Sequence, residues 1–538
     1  MTRALRAVSA PAVPARFNFA GDVLYRRAEL TPARIATLAI HADGSMEAWS
    51  YARIAAASKS LASAMARAGL KQGDRVLLVM PRTPHWQVAM AACMHLGAVP
   101  VPCVTQITAP ELAYRAQKSG AAGAISDRRL LDKFASCAGL HVRFARGGGD
   151  GWRDLEEAMA APDASAPLAV MPADAPALMY FTSGSSGPPK AVLHAARGIY
   201  VRAYQPWRQL AMGEDDVIWT TSDTGWTRAG SCLVFGAWMH GAAALMMEEP
   251  PPPEARVDVL EACGVTFFGA VTTELRIILG AARKRPLPKL RWTLSAGEAM
   301  TAEMAARWQE FSGVPLLVGY GQSETPTATL TDPAAPAVNG MIGRPMAGNQ
   351  VAVVDAEGRE CAPGVHGSLA FGATDPGLML GYWETGTGRP GEDGAARLEL
   401  LAGRWHLSGD CGTRDADGNL YFVGRDDDVI SSAGYRIGPT EVENALSQHP
   451  SVAECAVVAS PDGVRGEVVK AYVVLRPGQR GGEALAASLQ DYVKRQIAPY
   501  KYPRKMQFVD SLPRTASGKI LRRALREIEF NAPKGDPR

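Results

Sequence analysis

The chain has 538 residues, 57 basic against 54 acidic for a net charge of +3, and is 47% hydrophobic against 21% charged. That length calls for several domain-sized cores, and the composition excludes a disordered chain. The near-neutral balance gives no support to a polyanion-binding scaffold, which leaves a large enzyme or a large binding protein.

The first twenty residues carry Arg3, Arg6 and Arg16 and no acid, a faint transit-peptide composition, but Pro11 and Pro14 interrupt any amphipathic helix. A flexible start to a cytoplasmic protein is the expectation. Residues 76–80 form a short apolar run of strand type, after which Trp86, Ala89, Met90, Cys93 and Met94 recur at the spacing of one helix face. Residues 99–103 predict the next strand, a helix follows from Glu111, and residues 121–126 predict a further strand, the rhythm of an α/β layer fold. The uncharged stretches 86–110 and 229–247 have the length of a membrane span, but Pro100, Pro102, Ser231 and His240 within them argue for buried helix–turn–strand units. Eight cysteines without a Cys-x-x-Cys pair read as buried thiols in a reducing compartment and not as a zinc site.

Beyond Thr331, closely spaced Gly and Pro punctuate short runs such as 351–355 and predict a β-rich subdomain. After the acidic triplet Asp426, Asp427 and Asp428 the pattern becomes a compact α+β unit, with strands at 456–459, 468–475 and 505–509 and helices at 483–494 and 519–526. The expected division is residues 1–425, a hinge at 426–428, and a small mobile unit at 429–538.

Five segments carry chemistry. Residues 180–190, YFTSGSSGPPK, bring together the hydroxyls of Thr182, Ser183, Ser185 and Ser186, the glycines Gly184 and Gly187, and Lys190, an inventory suited to holding a polyphosphate. The spacing is not that of a Walker loop, and alone the segment reads equally well as a surface turn. Residues 320–325, YGQSET, supply a ring able to stack on a base and the carboxylate of Glu324, a hard ligand suited to Mg²⁺ on phosphate oxygens. WHLSGD at 405–410 and GRDDDVI at 424–430 offer Asp410 as acceptor for ribose hydroxyls and Arg425 for the sugar or phosphate. PRTASGKILR at 513–522 places Lys519 after Ser517 and Gly518 on a flexible turn.

In this order the segments resemble the acyl-adenylate-forming superfamily, over nearly the whole chain from Phe17 to Glu529. FNFAGDVL from Phe17, SDTGW at 222–226, SAGYRIGPTEVENAL from Ser432, SPDGVRGEVVKAYVV from Ser460 and APYKYPRK from Ala498 look most like the medium-chain acyl-CoA synthetases. The resemblance implies a two-step reaction. A carboxylic acid attacks the α-phosphate of ATP, and coenzyme A then takes the acyl group and releases AMP.

It implies residue roles as well. The loop from Thr182 through Lys190 would hold the triphosphate and Glu324 would hold Mg²⁺, while Tyr320 would stack on adenine beside Gly297 and Glu298. Ser323 would touch the α-phosphate, and Asp410 and Arg425 would hold the ribose. Lys519 would be the catalytic lysine, bridging carboxylate and α-phosphate on a C-terminal lid that turns about Asp427 between half-reactions. The turn exchanges Lys519 for the loop of Ala433, Gly434, Tyr435 and Arg436, with Arg436 also in reach of the phosphate. Gln106, Arg465, Lys494, Tyr502, Pro503 and Arg504 match positions facing the nucleotide part of CoA, and Trp226 and Gly321 match the acyl pocket. Glycine at 321 implies room for an acid larger than acetate, whether medium-chain, branched or aromatic.

Competing readings are an adenylating enzyme that loads a carrier-protein pantetheine and a non-catalytic nucleotide or acyl-CoA sensor on the same scaffold. No nucleic-acid or membrane partner is expected, and the sequence carries no signal for an oligomeric state.

Overall fold

A computed structural model describes residues 5–10, 12–182, 188–282, 284–297, 300–385, 394–426, 428–432, 435–463, 465–497, 499–514 and 520–531. Its centre is a 13-stranded sheet. Strands Ile35–Ile40, Ala243–Met247, Val217–Thr220, Phe267–Gly269, Trp292–Ala296 and Leu316–Tyr320 run parallel in that spatial order. Parallel neighbours need crossover connections, supplied by helices such as Thr272–Ala281 and Ala302–Ser312. The crossover helices bury Leu275, Ile278, Met304 and Trp308 in one core with Trp219 and Phe268 of the strands.

The Gly- and Pro-punctuated region does not form a separate sheet. Most of its strands, including Met341–Pro345, Gly367–Gly372, Trp405–Arg414 and Leu420–Arg425, are antiparallel and extend the parallel sheet beyond Leu316–Tyr320 through Thr329–Leu330, while Gly381–Glu384 and Ala395–Arg397 join a four-stranded sheet with Pro176–Thr182 and Lys190–Ala195. Tyr320 therefore stands where parallel pairing changes to antiparallel, and its strand end opens next to the antiparallel extension.

The strands expected at 76–80, 99–103 and 121–126 appear as Arg75–Val79, Val99–Cys103 and Gly123–Asp127 in a second, five-stranded parallel sheet. Both long uncharged stretches are helix–turn–strand units: Pro84–His95 leads into Val99–Cys103, and Ala237–His240 leads into Ala243–Met247. Among the described residues no helix is long and apolar enough to cross a membrane. The described part of the N-terminus is anchored, contrary to the expectation of a flexible start. Arg6 N–H donates to the Gln209 carbonyl at 2.9 Å, and Phe17 and Phe19 are buried, because these apolar residues have a core within reach.

The C-terminal region has its own five-stranded sheet, including Ile430–Ser432, Val452–Asp462, Gly466–Leu475 and Lys505–Phe508. Leu420–Arg425 belongs to the large sheet and Ile430–Ser432 to the small one, so the chain changes sheet across the acidic triplet. All eight cysteines are reduced and seven are buried, and no metal-binding group of three or more His, Cys, Asp or Glu occurs among the described residues.

Candidate active site

Antiparallel pairing sets the expected nucleotide side of the site. Asp410 and Arg425 are direct register partners on adjacent strands, and Arg425 Nη1 donates to Asp410 Oδ1 at 3.0 Å. The other carboxylate oxygen accepts from Tyr320 Oη at 2.7 Å and Gln322 Nε2 at 2.8 Å. Burial raises the Asp410 carboxyl above its ordinary range, against the opposing pull of Arg425 and the hydrogen bonds from Tyr320 and Gln322. Burial likewise raises the Tyr320 hydroxyl well above its usual value, with the neighbouring Asp410 adding to the effect. One face of the Tyr320 ring stacks on Phe371, with centroids 6.0 Å apart and planes 15° from parallel. A carboxylate oriented by three donors retains acceptor capacity for sugar hydroxyls.

On the phosphate side, Thr182 ends the strand Pro176–Thr182 and pairs with Lys190, which begins Lys190–Ala195. The hairpin thus sets both ends of the expected phosphate loop, while Ser183, Gly184, Ser185, Ser186 and Gly187 lie outside the described residues. Lys190 Nζ sits 4.7 Å from the centroid of the Tyr382 ring, and Tyr382 Oη donates to Glu324 Oε1 at 2.9 Å. Tyr382 therefore links the loop cation to the expected metal ligand. The Ser323 carbonyl accepts from His194 Nε2 at 2.7 Å and Arg202 Nη2 at 3.0 Å.

The acyl side departs from expectation. A Cβ on Gly321 would lie 2.1 Å from the Pro326 carbonyl oxygen and 2.9 Å from Thr327 Cα. Glycine is needed there because the chain folds back on itself, so the absent side chain is not by itself space for a longer acid. Trp226 is 37% exposed and precedes the short helix Thr227–Gly230. Its turn docks on the end of Val99–Cys103: Asp223 Oδ2 accepts from Thr105 Oγ1 at 2.6 Å, and a Cβ on Gly225 would meet Val104 N at 2.1 Å. Gln106, exposed, follows Thr105 and so lies next to the anchor of the Trp226 turn. Gly297 has φ +82°, a left-handed conformation suited to glycine, and Glu298 lies outside the described residues.

In the C-terminal region Lys494 and Arg504 both approach the Tyr502 ring, at 4.4 and 4.5 Å from its centroid, beside buried Pro503. Arg465 is exposed on the turn between strands, where its N–H donates to Asp462 at 2.9 Å. Tyr435 and Arg436 lie in the strand Tyr435–Ile437, and their side chains are outside the described residues. Asp427, Ala433, Gly434 and Lys519 are outside them too.

Sequence reading missed His194, Arg202, Gln322 and Tyr382. A visible signal existed for His194, a lone polar residue in the apolar alternation after Lys190. The other three became relevant only through pairing.

Residues 24–383 match the profile of the AMP-binding enzyme family, and residues 441–519 match that of the AMP-binding enzyme C-terminal domain. The chain belongs to the AMP-binding enzymes. The human protein named Acyl-coenzyme A synthetase ACSM3, mitochondrial, is 36% identical to this AMP-binding enzyme over 538 aligned residues, covering 96% of this chain and 90% of that protein. A Brucella canis acyl-CoA synthetase structure is 30% identical with TM-score 0.72, over 97% of this chain and 96% of that one. The anthranilate CoA ligase AuaEII in complex with anthranoyl-AMP is 25% identical with TM-score 0.83, over 96% and 98% of the two chains. A benzoate CoA ligase from Burkholderia xenovorans LB400 is 28% identical with TM-score 0.79, over 95% and 100%. Within the AMP-binding enzymes this chain belongs to the acyl-CoA synthetase group of AMP-forming ligases.

Proposed function

We propose that the protein adenylates a medium-chain, branched or aromatic carboxylic acid and transfers the acyl group to CoA. The observation that carries the nucleotide part is the convergence of Tyr320, Gln322 and Arg425 on the Asp410 carboxylate, together with the separate contact of Tyr382 with both Lys190 and Glu324. In the first step a carboxylate oxygen forms a bond to the α-phosphorus while the bond to the bridging oxygen breaks and pyrophosphate leaves. In the second, the CoA thiol loses its proton, its sulfur bonds the acyl carbon, and AMP departs.

Both steps place anion against anion, so preorganised cations and donors lower the barrier. Lys190, at the end of the loop, would face the triphosphate, and Lys519 would bridge acid and α-phosphate. Arg425 and Asp410 would hold the ribose. The Glu324 carboxylate, oriented by Tyr382, would hold Mg²⁺ against the phosphate oxygens as a hard oxygen ligand. When bound, Mg²⁺ would neutralise charge on those oxygens.

Support for CoA as acceptor comes from the relatives named above, all CoA synthetases or ligases, and from the cationic pair Lys494 and Arg504 on Tyr502. Their names do not favour carrier-protein loading. Support for a bulky acid comes from the anthranilate and benzoate ligases, whose overall shapes this chain shares. A reducing compartment, the cytoplasm, fits the eight unpaired thiols, although the curated relatives are named mitochondrial. The test is pyrophosphate release across a carboxylate panel, with and without CoA. Saturation by C4–C8 or aromatic acids ahead of acetate is expected, and a preference for acetate overturns the substrate class.

A further inference from the structure

His194 and Arg202 come from different elements, the strand Lys190–Ala195 and the helix Ala196–Tyr204, yet both donate to one main-chain carbonyl, that of Ser323. Both side chains are buried, His194 completely and Arg202 with 4% exposure. A buried guanidinium loses its hydration, and such a charge is ordinarily paired with a carboxylate. Among the described residues no ion pair engages Arg202, whose Nη2 donates to the Ser323 carbonyl and lies 3.2 Å from His194 Nε2, a contact between two donors that share one acceptor. Because His194 Nε2 donates to the carbonyl, it carries the proton, and Nδ1 holds a lone pair. Nδ1, together with Arg202 Nε and Tyr180 Oη, is buried without a hydrogen-bond partner among the described residues.

The position of the shared carbonyl gives this arrangement its use. Ser323 precedes Glu324, whose own carbonyl is held by Met379 N–H at 2.9 Å and whose carboxylate is held by Tyr382. The strand that supplies His194 begins at Lys190. The hairpin bearing one end of the phosphate loop is thus tied, through a carbonyl taking two strong donors, to the segment bearing the expected metal ligand. One donor is enough to satisfy a carbonyl, so the second, on its other lone pair, fixes the direction of the peptide as well.

We propose that His194 and Arg202 are positioning residues for adenylation, which set the Ser323–Glu324 peptide relative to Lys190 and so place the Glu324 carboxylate for the metal–triphosphate. The inference rests on the reading that Glu324 and the loop hold that group. It concerns the first half-reaction, because acyl transfer from acyl-adenylate involves no triphosphate.

The test compares His194→Ala with His194→Gln, whose side-chain amide nitrogen can stand in for Nε2, and Arg202→Met with Arg202→Lys. Pyrophosphate formation, acyl transfer from synthetic acyl-adenylate, AMP affinity, and Mn²⁺ binding in the presence of α,β-methylene-ATP are measured on the full chain. Misplacement by a fraction of an ångström predicts that His194→Ala and Arg202→Met slow adenylation by about 10- to 100-fold. Both should also weaken Mn²⁺ binding by about fivefold or more, with acyl transfer and AMP affinity held within about threefold. His194→Gln and Arg202→Lys should recover most of the loss. Equal losses in both half-reactions and AMP affinity, or no difference between His194→Ala and His194→Gln, overturn the proposal; if Arg202→Met fails to fold, the His194 pair decides. Glu324→Gln separates the two levels. If it leaves Mn²⁺ binding intact, the metal reading fails; if it weakens binding while the His194 and Arg202 variants do not, the positioning inference alone fails.

Discussion

Tyr320 and Asp410, 90 residues apart in sequence, share a buried hydrogen bond of 2.7 Å from the phenolic oxygen to Oδ2. Tyr320→Phe leaves Asp410 with Gln322 and Arg425 but without the donor that fixes both ring and carboxylate. A buried bond to a charged group contributes about 1.5–3 kcal/mol, so AMP affinity should fall by roughly 10- to 100-fold in calorimetry. A change below about twofold would show that the hydroxyl does not set the site.

Burial raises the Asp410 carboxyl, so the empty site retains its proton to higher pH than an ordinary aspartate. Ribose hydroxyls donate to the ionised form and favour it. Nucleotide binding should therefore release a proton, and affinity should rise with pH through that titration. Calorimetry in buffers of different ionisation enthalpy reads the release directly, and Asp410→Asn should abolish it.

Lys519→Ala should remove about 10²-fold or more of adenylation while leaving acyl transfer from synthetic acyl-adenylate within severalfold, because the stabilised charge develops only in the first step. Single-turnover assays of the two halves check this. Equal loss in both refutes the assigned role.

Gly321→Ala places a methyl against the Pro326 carbonyl, at a separation of 2.1 Å that requires the 321–327 chain to move. Activity should fall with every acid tested, and thermal stability should drop by about 1–3 kcal/mol for an overpacked site. A clean shift towards shorter acids with full activity would restore Gly321 as a simple size gate.

Burial, with the Arg146 charge adding to it, pushes His85 down to about 4, and burial, opposed by backbone hydrogen bonds to Tyr204 and Ala203 and aided by the Arg27 and Arg208 charges, pushes His240 down to about 4. A depressed histidine contributes stability that is present above the unfolded value of 6.5 and lost as pH falls towards 4. For each, the loss is on the order of 2–3 kcal/mol by linkage. Urea midpoints should decline across that window, and His85→Asn should flatten the slope if the variant remains folded. An unchanged slope in the folded variant counts against the buried neutral state.

Arg276 Nη1 lies 3.6 Å from Glu454 Oε1, joining helix Thr272–Ala281 to the C-terminal strand Val452–Asp462, and Arg514 pairs with the same carboxylate. Arg276 is 50% exposed, and such pairs contribute at most about 1 kcal/mol. Arg276→Ala should therefore shift the ratio of the two half-reaction rates by no more than about fivefold.

The sequence by itself determined the α/β layering, because helix-period and strand-period apolar runs alternate wherever a parallel sheet must be covered. It also carried the ordered segments whose residue types suit phosphate, sugar and metal chemistry, the basis of the expected roles. Tertiary structure decided what depends on through-space neighbours. It merged most of the β-rich region into the large sheet and gave two of its strands to the hairpin of Thr182 and Lys190, since strands pair according to geometry that local composition does not encode. It explained Gly321 by the return of its own chain at Pro326. It also brought His194 and Arg202 onto Ser323, because a carbonyl more than one hundred residues away leaves no periodic trace.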